Sequence, residues 1–81
     1  MEHFYTSFVE HSISEMNKNI SKIQKDIKRI YGDDVEVFVE IQQYVKRETK
    51  NVFAEPNRTI ITTYEYEYLV CIYYEEHIEE L

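Results

Sequence analysis

The side chains equipped for chemistry are three histidines, one cysteine and 16 carboxylates. His3, His11 and His77 stand in no nucleophile motif. A single glycine, Gly32, leaves no Gly-rich loop to cradle a phosphate or form a nucleophile elbow. Cys71 lies in the apolar run Leu69-Val70-Cys71-Ile72, where a small buried side chain is expected, and as the only cysteine it has no disulfide partner. Glu75, Glu76, His77 and Glu80 are the one cluster with ligands for a divalent ion. A helical tail would align Glu76 and Glu80 beside His77, yet no second histidine sits at ligand spacing, and a solvated acidic terminus accounts for the cluster. The expectation is a protein that is not an enzyme, with no catalytic residue, metal or cofactor.

Eight tyrosines invite a test for base stacking, since Tyr64, Tyr66, Tyr68, Tyr73 and Tyr74 crowd one stretch. Strands that hold nucleic acid interleave aromatics with Lys or Arg; here Glu65 and Glu67 separate the rings and would repel a polyanion. These tyrosines read as the inner face of a sheet, their hydroxyls reaching its edge. Direct binding of nucleic acid is not expected.

The remaining chemistry is electrostatic. Sixteen acidic and 9 basic residues give −7, unevenly spread: residues 1–16 carry −3, residues 17–32 carry +4 and residues 33–81 carry −8. Such asymmetry points to a charged partner. The basic group is Lys18, Lys22, Lys25, Lys28 and Arg29; a solvated helix face explains it. The candidate partner-binding residues are acidic: Asp33, Asp34, Glu36, Glu40, Glu65, Glu67, Glu75, Glu76, Glu79 and Glu80. Successive outward positions on a strand lie about 6.6 Å apart, comparable to the spacing of DNA phosphates.

The elements that must position these groups begin with a long helix over Ser7–Tyr31. Val9, Ile13, Met16, Ile20, Ile23, Ile27 and Ile30 follow at alternating steps of 4 and 3, a heptad stripe on one face. Ser7-x-x-Glu10 and Ser12-x-x-Glu15 both fit capping boxes, and Gly32 suits a left-handed C′ position. Met1–Thr6 reads as a short lead-in. After Gly32-Asp33-Asp34 the period becomes 2: Val35, Val37, Val39, Ile41 and Val45 alternate with Glu36, Phe38, Glu40, Gln42 and Tyr44, a strand with one buried face. The pattern breaks from Arg47 to Arg58, where Glu55-Pro56-Asn57-Arg58 reads as a turn and Val52-Phe53 as a short strand. A last strand over Thr59–Tyr74 turns its even positions to the helix. Its odd face becomes apolar after Glu67, as if covered a second time.

The fold class is therefore α+β: one domain, 1–81, a long N-terminal helix on an antiparallel sheet of two to three strands, in the order α-β-β-β. A core this small is marginal, which favours association. A two-fold homodimer is the commonest solution, and the heptad stripe, shared between the chain's own sheet and its mate, is the expected seam. With no signal-like apolar segment and no apolar run approaching 18 residues, neither secretion nor a membrane span is expected; the expected compartment is the cytoplasm.

Short length, strong acidity, few glycines and runs such as Tyr64-Glu65-Tyr66-Glu67-Tyr68 and Tyr73-Tyr74-Glu75-Glu76 give the chain its character. In composition it resembles the small phage-encoded DNA-mimic inhibitors, which block nucleoid proteins such as HU, restriction enzymes, repair glycosylases or CRISPR nucleases. That class has many folds and no diagnostic motif, so the resemblance carries over no binding residue. It implies a basic DNA-binding protein as partner, with an HU-like protein first, inside a host cell. The alternative is a non-enzymatic dimeric module, antitoxin-like or adaptor, working through the heptad face.

Overall fold

The computed structural model of the chain describes residues 1–54 and 58–77. Strand β1 (His3–Glu10) leads into helix α1 (Ile13–Tyr31), followed by the two long strands β2 (Glu36–Phe53) and β3 (Thr59–Glu75). The sheet is antiparallel throughout, in the order β1-β3-β2, so the last strand in sequence lies at the centre. The architecture is α+β, but its order is β-α-β-β rather than α-β-β-β.

The helix starts six residues later than the heptad count places it. Ser12 is the N-cap that forms: its Oγ accepts from the Glu15 N–H at 3.1 Å. Ser7 lies inside β1, and Val9 with it. Phe4, Tyr5, Thr6, Phe8 and Val9 are β-branched or aromatic, and the half of β3 from Tyr68 to Tyr74 offers them an antiparallel ladder interrupted only by a register shift at Tyr5. That ladder outweighs a helical extension whose spacing Val9 happens to fit. At the other end the Gly32 N–H donates to Lys28 O at 2.9 Å, with φ at +99°, a value that glycine adopts without strain.

The core is thin. Met16 and Ile27 of α1 pack with Val35, Val70 and Ile72, and Ile20, Ile23, Val37, Val39, Phe8, Tyr5, Tyr68 and Tyr74 close around them. The even positions of β3 from Tyr68 to Tyr74 do face the helix, whereas Ile60, Tyr64 and Tyr66, expected on the same inner face, stand exposed beyond the core. The middle of the heptad stripe is thus used up on the chain's own sheet, while its end members Ile13 and Ile30 stay more than half exposed. Tyr31 stacks on Tyr74 with ring centroids 4.3 Å apart.

The interval from Arg47 to Phe53 is not a break but a continuation of β2. A bulge between Val45 and Arg47 shifts the phase by one residue, and pairing then runs on to Phe53↔Thr59. The expected turn at Glu55-Pro56-Asn57-Arg58 and the tail residues Ile78 to Leu81 lie outside the described residues, except Arg58. β1 reaches only as far as Tyr68, so beyond that level β2 and β3 project alone as a two-stranded arm, residues 44–53 with 59–67. The molecule measures 76 × 20 × 14 Å in consequence.

Candidate acidic interface

Helix α1 covers one face of the sheet and leaves the other open. Because β3 alternates strictly, with Val70 and Ile72 buried beneath the helix, Glu65, Glu67, Leu69, Cys71 and Tyr73 belong to the open face. On β2 the same face takes Glu36, Phe38, Glu40, Gln42 and Tyr44, and on β1 it takes Phe4, Ser7 and Val9. Glu36, Glu40, Glu65 and Glu67 therefore share one uncovered surface.

Register fixes their arrangement. Glu36 lies opposite Glu75, Glu40 opposite Cys71, Tyr44 opposite Glu67 and Arg47 opposite Glu65. Along β2 the acid levels recur every fourth residue, about 13 Å at 3.3 Å per residue. That is twice the expected pitch, because Phe38 and Gln42 occupy the intervening positions. Phe4, Tyr73 and Phe38 form one apolar level across all three strands, with Phe4 edge-on to Tyr73 at 5.8 Å. The open face thus has an apolar level bordered by carboxylates.

The two ends of the acidic row differ. At the arm, Glu67 accepts from the Tyr44 hydroxyl at 2.7 Å and lies 3.5 Å from Lys46 Nζ and 3.4 Å from His11 Nδ1. The Tyr44 hydrogen bond, helped by Lys46 and His11, holds its carboxyl below the usual carboxylate range against the opposing effect of burial. The bond raises the Tyr44 hydroxyl in turn. Glu65 faces Arg47 at 3.7 Å. At the body end the sequence stretches 33–43 and 68–77 hold Asp33, Asp34, Glu36, Glu40, Glu75 and Glu76 with no Lys or Arg. There Glu36 meets His77 at 2.8 Å, and Glu75 meets the N-terminal amine at 3.1 Å. Negative charge nearby shows on Tyr73, whose hydroxyl is raised first by Glu40.

Lys18, Lys22, Lys25, Lys28 and Arg29 are all exposed on α1, Lys25 and Lys28 on the flank that borders the β2 edge and Lys22 on the flank that borders β1. Between α1 and the β2 edge runs a shallow groove lined by Ser21, Gln24, Lys25, Lys28, Glu36 and Phe38, with no histidine or cysteine among its lining residues. Among the described residues, no three His, Cys, Asp or Glu side chains converge as metal ligands. No helix of the described residues is long and apolar enough to cross a membrane. Glu79 and Glu80, expected to join the surface, lie outside the described residues. The Tyr44–Glu67 pair was not foreseen; its signal would have been the hairpin register, which the bulge hides. Compared with family models, with curated proteins and with solved structures, the chain finds no match.

Proposed function

We propose that this protein is a non-enzymatic inhibitor that binds a basic DNA-binding protein, an HU-like nucleoid protein being the first candidate, and occupies its DNA-binding surface with carboxylates in place of phosphates. The observation that carries this reading is the body end of the open face. Register places Glu36, Glu40 and Glu75 there, with Asp33, Asp34 and Glu76 beside them in sequence, and neither stretch holds a Lys or Arg. A DNA-binding surface approaching that face meets negative charge around an apolar centre, with Lys25 and Lys28 of α1 only at its β2 edge. Long-range attraction would steer the encounter.

The test is displacement of duplex DNA from a purified HU-like protein. Glu36→Lys with Glu40→Lys is expected to weaken competition roughly hundredfold, about tenfold or 1.4 kcal/mol per carboxylate. Glu65→Lys with Glu67→Lys is expected to do less, because Arg47, Lys46 and His11 already offset those charges. Competition is also expected to fall steeply from low to moderate salt. Equal competition by the wild type and the Glu36/Glu40 variant would refute the assignment.

A further inference from the structure

The arm poses a separate question. A two-stranded ribbon is marginal in water on its own, yet this one keeps its pairing for nine residues past the last contact with β1. Its helix-side face carries Val45, Val52, Ile60, Tyr64 and Tyr66, each 38–58% exposed. The chain as a whole exposes 6614 Å², whereas a compact monomer of its mass would expose about 5,200 Å². The excess, roughly 1,400 Å², exceeds the ~800 Å² that each partner contributes to a stable interface.

We propose that the helix-side face of the arm packs on the same face of a second copy, the two arms antiparallel about a two-fold axis that crosses the strands between the Glu48 and Lys50 levels. From base to tip that face reads Val45/Tyr66, Glu48/Tyr64, Lys50/Thr62 and Val52/Ile60. Reversed onto itself, the pattern is complementary at every level. Val45 and Tyr66 meet the partner's Val52 and the partner's Ile60. Glu48 meets the partner's Lys50, twice per dimer by symmetry. Two sheets stacked this way stand about 10 Å apart, the ordinary distance for interdigitating inner faces.

Charge selects a second copy over other occupants. Residues 44–67 hold Lys46, Arg47, Lys50 and Arg58 against Glu48, Glu55, Glu65 and Glu67, a net of zero. In a chain of −7 this is the stretch where two copies approach without repulsion, and it lacks the basic excess that a polyphosphate would require. The stack leaves both open faces uncovered, so the dimer presents two acidic surfaces pointing in opposite directions.

Sedimentation velocity and light scattering of the full chain across the micromolar range are expected to show a dimer. Glu48→Lys alone and Lys50→Glu alone each place like charges together at two symmetric contacts. Each is expected to raise the dimer Kd roughly hundredfold. The double variant E48K/K50E restores both pairs and is expected to dimerise like the wild type. A charge-independent arm uses Ile60→Asp, which is expected to yield a monomer with an unchanged helical circular dichroism signal. A wild type that stays monomeric, single swaps without effect, no rescue in the double variant, or an I60D dimer would each overturn the proposal. So would duplex-DNA binding that is lost in K50E. Glu36 and Glu40 remain intact in all these variants, so DNA displacement from the HU-like protein reports separately.

Discussion

At the scale of single residues, Glu67 is the most constrained carboxylate of the open face. Its depressed pKa means that the folded state favours the ionised form. The stabilisation is present above the ordinary carboxylate pKa and is lost as pH falls through the lower folded value. Tyr44→Phe removes the first cause of that shift. In an NMR titration, the Glu67 midpoint of Y44F is expected to move up toward the ordinary glutamate range, with the acid limb of the stability curve moving the same way. A midpoint that stays put would mean that Lys46 and His11 set it. Tyr74 is shifted in the opposite sense: its hydrogen bond with Tyr31, then burial, push it up to about 12. Its contribution is intact below the ordinary tyrosine pKa and lost as pH rises above it through the folded value of about 12. Both caps, Ser12 and Gly32, were readable in the sequence because capping is local chemistry. The Tyr44–Glu67 pair joins strands 23 residues apart and was not.

At the scale of elements, the heptad stripe identified the helix correctly and misplaced its start. Spacing alone cannot separate Val9 on a helix from Val9 on a strand; the partner strand that decides it is nearly the whole chain away. β2 was cut short for a related reason, since one residue added at the bulge inverts the inside–outside alternation and erases the period-2 signal beyond Val45. Members of one stripe should now differ in worth. Ile27→Ala removes a fully buried side chain and is expected to cost about 2–5 kcal/mol in urea unfolding at fixed protein concentration. Ile30→Ala, at 56% exposure, is expected to stay within about 0.5 kcal/mol. Equal costs would contradict the observed packing.

At the scale of the whole molecule, the radius of gyration is 19.9 Å, against about 12 Å for a compact chain of this length. The arm accounts for the difference, and nothing in the composition announces it: the same strands could have been broken, folded back or covered. Body and arm are separable by design of the register. Replacing Lys46–Glu65 with Asn-Gly would close β2 on β3 at the paired positions Val45 and Tyr66 through a two-residue turn. This shortened protein is expected to keep a cooperative thermal transition, sediment as a monomer and still displace DNA from the HU-like target. Loss of the transition would show that the arm supports the core.

The central position of β3 also dictates when the fold can form. His3 pairs with Tyr74, and the helix side chains Met16 and Ile27 need Val70 and Ile72 beneath them. While the ribosome is still making the chain, β1, α1 and most of β2 exist with no central strand to join them, so their contacts are almost entirely non-local. The core therefore cannot form before β3 has emerged, and the nascent chain must carry the aromatic β1 segment unprotected until then.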